Sequence, residues 1–143
     1  YKNQQGILRK MQKKYFSLDD AQSILPEVKK LLGELLDLQE KIRIVNSLKI
    51  KYDDDFLEAH NLTKKTMNMH KGAFEFFSIV NNLIEKGVFV KDPAAGLVDF
   101  YSLFEDREIF LCYKYPEEKI FFWHGIDEGY SRRKSVDLLK EKI

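Results

Sequence analysis

The stretch Asn81-Asn82-Leu83-Ile84-Glu85-Lys86-Gly87-Val88-Phe89-Val90 decides the fold. Up to Ile84 the apolar residues recur at helical steps, and after Gly87 they run on as a strand. Lys86-Gly87 marks the change: a cation suits the negative end of a helix, and glycine suits the left-handed residue that stops one. Helix therefore lies before this stretch and sheet after it.

Reading backwards, Phe56, His60, Thr63, Met67, His70, Phe74, Phe77, Asn81 and Ile84 form one stripe at alternating steps of four and three. A second line, Met69, Ala73, Phe76, Val80 and Leu83, makes the later half apolar on nearly all sides. Asp53-Asp54-Asp55 is placed to cap this helix. Upstream, Val28, Leu31, Leu35, Leu38, Ile42, Val45 and Lys49 form another stripe, widened by Leu32. The short connection near Tyr52 makes the two long helices antiparallel neighbours. Ser17-Leu18-Asp19-Asp20 has the chemistry of a helix start, and Pro26 is poorly suited to a helix interior. The expectation is a short helix over 18–24, with Pro26 opening a second, long one.

Reading forwards, Val88-Phe89-Val90 is a short strand and Pro93-Ala94-Ala95-Gly96 a turn. Further strands are expected near 97–104, 108–115 and 119–124, with hairpin tips at Glu105-Asp106 and Pro116-Glu117. Helices first and strands afterwards indicate an α+β fold: a long antiparallel helical hairpin, plus the short N-terminal helix, followed by a small three- to four-stranded antiparallel β-meander. The 143 residues suit one domain. It divides into a basic arm over 1–14, a hairpin region over 17–87, the meander over 88–130 and a basic tail over 131–143.

Composition narrows the function classes. The apolar content of 44% is ordinary for a globular protein. No apolar run approaches a bilayer span, and no signal-sequence pattern is present, so a membrane partner is not expected. Cys112 is the only cysteine, which excludes an internal disulfide and a multi-cysteine zinc site. A cytoplasmic protein is the simplest fit. A net charge of +1 argues against a dedicated nucleic-acid binder, although the basic ends keep weak nucleic-acid association as a third hypothesis. There is no Gly-rich phosphate loop, nucleophile elbow or His-Glu-x-x-His motif.

Helix length makes a further demand. A helix from about 54 to 86 is roughly 50 Å long, whereas a seven-residue strand spans about 23 Å. The sheet can shield only about half the hairpin, yet apolar residues continue along both helices. A homodimer, with hairpin packed on hairpin as a four-helix bundle, would cover the rest. His60 and His70 lie about 15 Å apart along their helix, too far to share one ion. They are expected to line the seam, facing their symmetry mates.

Asp99 is the oddest residue in the meander. Aspartate is a poor strand former, and Leu97, Val98 and Phe100 surround it. Buried, it needs donors from Arg133, Arg132, His124 or backbone amides. That need is met by a structural clasp tying the C-terminal segment to the sheet, and alternatively by a functional pocket. Asp99, His124, Asp127, Arg132 and Arg133 are the candidate ligand-binding set, and Asp99 and His124 the candidate catalytic pair. Asp99, His124 and Asp127 also make a weak divalent-metal candidate, with no other cofactor expected. Cys112 reads as a small core residue; as a nucleophile it would need His124 or Arg133 beside it. A two-residue turn at Glu105-Asp106 sets Asp99 opposite Cys112, and one more loop residue sets it opposite Tyr113.

Lys91-Asp92, Gly96-Leu97-Val98-Asp99-Phe100, Leu111-Cys112-Tyr113, Trp123-His124, Gly129-Tyr130 and Arg133 occur in that order, after an opening Phe16-Ser17-Leu18-Asp19-Asp20-Ala21 and Leu25-Pro26. Together they resemble the prokaryotic domain of unknown function numbered 2203, over about residues 15–133. Gly125 stands where that pattern commonly has an acid after the histidine, and Arg132 where it has a small residue. The resemblance implies a similar fold and carries no established reaction. The leading hypothesis is a dimeric binding or scaffold module with a polar pocket where sheet meets hairpin, its small-molecule ligand unknown. The rival is a small metal-assisted or acid–base hydrolase using Asp99, His124 and Asp127, so whether the protein is an enzyme stays open.

Overall fold

The computed structural model describes residues 13–47 and 55–140. Two long helices, α1 (Leu18–Ser47) and α2 (Asp55–Glu85), precede the strands β1 (Val88–Asp92), β2 (Leu97–Phe104), β3 (Arg107–Lys114), β4 (Phe122–Gly125) and β5 (Lys134–Ser135). A 3-10 turn (Tyr130–Arg132) leads into β5, and a short helix, α3 (Asp137–Lys140), follows it. The sheet is antiparallel throughout, in the order β1-β2-β3-β4-β5. The architecture is the expected α+β hairpin and meander. The turn between the helices, the Asp53-Asp54 part of the expected cap and residues 1–12 of the basic arm lie outside the described residues.

Two expectations about the helices change. The chain makes one helix from Leu18 through Pro26, not a short helix and then a long one. Its start is capped as foreseen: the Asp20 amide donates to Ser17 Oγ at 3.1 Å, and the Ser17 amide to Asp20 Oδ2 at 3.4 Å. A mid-helix proline costs about 3 kcal/mol, but Ala21, Leu25, Val28, Leu32 and Leu35 are buried as one stripe across it. Each fully buried Val or Leu contributes about 1.5–3 kcal/mol, so continuity of the stripe outweighs the lost bond. Pro26 itself sits on the exposed face.

The second change concerns α2. Its buried residues are Gly72 and Leu83, with Phe76, Ile79 and Val80 packed against the core. Gly72 allows close approach to α1, since a Cβ there would come within 3.1 Å of Ile42 Cδ1. At 100° per residue the main stripe of the sequence lies on the opposite side of the helix. Phe74 is 75% exposed, Phe77 68% and Met67 66%, and His60 and His70 are exposed beside them. The later part of the weaker line, Phe76, Val80 and Leu83, faces the core, and the stronger line faces away.

The core lies between α1, the lower part of α2 and one face of the sheet: Val88, Val98, Phe100, Ile109, Leu111 and Tyr113 meet Leu25, Val28, Leu32, Leu35 and Leu83. Gly87 (φ +89°) ends α2 in the left-handed region, as the Lys86-Gly87 signal requires. The β2–β3 turn is the two-residue form, with Glu105 and Asp106 both at positive φ (51° and 63°). This registers Asp99 against Cys112.

The C-terminal part of the meander differs from expectation. Residues 119–121 do not pair with β3, because the Gln22 side chain takes both backbone groups of Ile120: Nε2 donates to its carbonyl and Oε1 accepts from its amide, each at 3.0 Å. Strand β4 therefore begins at Phe122. Residues 134–136 of the segment read as a basic tail are part of the fold: β5 pairs with β4, the Val136 amide donates to the Phe121 carbonyl at 2.9 Å, and Val136 enters the core. Two paired residues are too few to produce a readable alternation. Among the described residues no helix is long and apolar enough to cross a membrane.

Candidate functional site

Strand alternation puts Val98, Phe100, Leu111, Tyr113 and Trp123 on the helix-facing side of the sheet. Asp99, Cys112, Phe110, Phe122 and His124 consequently share the other side. There the three polar members are sealed: Asp99 is 1% exposed, His124 2% and Cys112 0%. Their cover is aromatic. Phe110 stacks on Phe89, packs against Tyr101 at a centroid distance of 4.7 Å, and lies 5.4 Å from the His124 ring.

The His124 ring reaches across β3. Its Nε2 lies 3.0 Å from Asp99 Oδ1, and its Nδ1 lies 2.8 Å from the Gly125 carbonyl oxygen. The Gly125 carbonyl can only accept, so Nδ1 donates; with Asp99 as a carboxylate Nε2 donates as well, which makes the ring an imidazolium. Burial pushes the ring toward its neutral form. The Asp99 carboxylate, Cys112 and the Gly125 carbonyl outweigh that push and raise the pKa from 6.5 to about 10. Asp99 on β2 and His124 on β4 are thus a buried hydrogen-bonded pair, His124 being one of the donors considered for Asp99 in the sequence. Asp99 Oδ2 is buried and has no hydrogen-bond partner among the described residues.

Other sequence-nominated residues lie apart from this pair. Arg133 does not reach Asp99. Its guanidinium bonds Glu117 Oε1 at 2.6 Å and the Cys112 carbonyl at 3.5 Å, and it lies between the rings of Phe122 (4.1 Å) and Tyr130 (4.6 Å). A planar cation favours this stacked, carboxylate-paired setting, so Arg133 ties the C-terminal segment to β3 by its own route. Arg132 is exposed. Asp127 is exposed in the turn after β4, and Glu128 makes that turn's bonds, to the Gly125 amide at 3.2 Å and Lys134 Nζ at 3.0 Å.

The metal-capable group among the described residues is therefore Asp99, Cys112 and His124, whose ligand atoms lie within 4.8 Å of one another, and Asp127 is not part of it. Binding a divalent cation there would require Cys112 to lose its thiol proton and His124 its Nε2 proton. For acid–base chemistry the ring has no free lone pair, and for nucleophilic chemistry Cys112 lies behind the aromatic cover. The missed participants, Gln22 and Glu117, left only a weak trace in the sequence. The two-residue turn at Glu105-Asp106 was the one signal that could have placed Cys112.

Where hairpin and sheet meet there is a groove of about 440 Å³, lined by Phe76, Val80, Ile84, Phe89 and Tyr101, with Lys13 and Lys14 also on its wall. It is apolar and does not contain Asp99 or His124, in contrast to the polar pocket expected there. Lys13 is engaged with Glu108 at 3.3 Å, and Tyr15 bonds the same carboxylate. The Phe16 amide joins β2 through the Tyr101 carbonyl at 2.7 Å.

No curated protein and no solved structure matches the chain. The model of one family matches residues 14–136, from the strand-like segment before α1 to the core residue after β5. Since that span holds both helices and the whole sheet, the chain belongs to the family described as uncharacterized conserved protein (DUF2203).

Proposed function

We propose that the protein is a dimeric scaffold module, working in the cytoplasm, whose assembly surface is the outward face of α2. The observation that carries this reading is the exposure of Met67, Phe74 and Phe77 along one straight line of a long helix. Contiguous apolar surface of this kind marks an interaction site. Phe56, Met67, Phe74 and Phe77 together expose roughly 600 Å² per copy, taking about 200 Å² as the full area of such a side chain. The polar seam positions bring this toward the roughly 800 Å² per partner of a standard stable interface.

The Asp99–His124 pair serves this module as a structural clasp: it has no opening to solvent and both ring protons are committed. That argument favours the scaffold over the acid–base or metal-assisted hydrolase. Nucleic-acid association is the least supported alternative, because Lys13 and Lys134 are engaged with Glu108 and Glu128. Light scattering on the purified chain is the test. A mass of two chains at micromolar concentration is the expected result, and a monomer throughout that range would end the proposal.

A further inference from the structure

We infer that the two copies pair through α2 alone, antiparallel and centred on His70, which rests on the dimer reading above and specifies its geometry. His70 is the middle of the stripe's nine members, with four on either side. With His70 opposite His70 of a second copy, Thr63 falls opposite Phe77, Met67 within one residue of Phe74 and His60 within one residue of Asn81. Large side chains then meet smaller or flexible ones, as an interdigitated seam requires. Parallel pairing would set Phe74 on Phe74 and Phe77 on Phe77 while leaving Thr63 against Thr63. The alternating steps of four and three, held from Phe56 to Ile84, are the period of a seam between two helices.

The placement of the sheet points the same way. Helix α2 runs directly into β1 through Gly87, so each sheet lies at the C-terminal end of its own α2. Antiparallel pairing places the two sheets at opposite ends, and each sheet-free half of α2 lies along the sheet-bearing half of its partner. Opposed helix dipoles also favour it. Because the stripe faces directly away from Gly72 and Leu83, the four helices form a row, α1–α2–α2–α1, in place of a square bundle.

Cysteine cross-linking in the full chain reads this geometry. The native Cys112 is buried and silent, and His60, His70 and Asn81 are exposed, so cysteine at these positions leaves the fold intact. Only sites with Cα atoms within about 7 Å can be bridged. His70→Cys is expected to form a disulfide-linked dimer under mild oxidation. His60→Cys and Asn81→Cys are each expected to stay uncrosslinked alone and to crosslink when mixed, since each lies roughly 30 Å from its own symmetry mate. Self-crosslinking of His60→Cys and of Asn81→Cys would establish parallel pairing and overturn the inference while the dimer stands. A dimer by light scattering with no His70→Cys crosslink would also overturn it. A monomer by light scattering removes the dimer itself.

Discussion

The outer face of the sheet and the outer face of α2 invert each other's expected chemistry. On the sheet, the side turned away from the helices holds a carboxylate, an imidazolium and a thiol, and it is sealed. On α2, the side turned away from the core holds phenylalanines and methionine, and it is open. The sheet face closes because its own aromatic side chains and the Arg133 segment fold over it. Among the described residues no other element covers the outward face of α2, which extends past the sheet. Polarity therefore does not decide exposure in either place; the reach of neighbouring elements does.

The largest expected effect falls on the closed face. Asp99→Ala leaves the His124 cation buried without its counter-charge, and breaking such a pair costs about 3–5 kcal/mol. Urea unfolding of the variant measures this, and a loss under about 1 kcal/mol would mean that the closed face does not hold a buried charge pair. The same pair sets a pH dependence. The folded pKa of His124 is about 10 against 6.5 for the free ring. Its stabilisation is therefore fully present below about pH 6.5, declines as pH rises, and is gone above about pH 10. The urea midpoint should fall over that window in the wild-type chain. In His124→Leu the fall should be flatter, and equal slopes in the two proteins would remove the imidazolium.

Smaller effects are expected on the open face. Phe77→Glu should abolish the dimer in light scattering while changing the unfolding free energy of the monomer by no more than about 0.5 kcal/mol, the range for exposed positions. A variant that unfolds instead would show that this face is part of the core. The smallest effect separates Asp127 from the buried trio. Asp127→Asn should leave the melting temperature within about 1 °C of the wild type, as a surface change does. Adding zinc to either protein should leave it there too; a zinc-dependent rise lost in Cys112→Ser would turn the clasp into a metal centre.

Much of this was legible residue by residue. The Lys86-Gly87 boundary, the Ser17 cap and the strand over 97–104 follow from local chemistry, because capping and alternation depend on residues within one turn or one pleat. The partnership of Asp99 with a C-terminal donor was legible as a need, since a buried carboxylate cannot stand alone. Its fulfilment by His124 rather than Arg133 was not, because that choice depends on the distance across β3 and on Arg133 being paired with Glu117. Pro26 misled for a related reason: its local cost is fixed, but the burial that offsets it belongs to the whole length of α1.

By itself the sequence determined which residues share a face, where helix gives way to strand, and that the hairpin outruns the sheet. Those properties are set by backbone period and length, which are local. Only the tertiary structure decided which faces are covered: that Phe76, Val80 and Leu83 of the weaker line turn inward, that the polar trio lies on the far side of the sheet, and that Lys134–Ser135 form a strand. Coverage depends on which distant segments can reach a surface, and a periodic pattern carries no record of that.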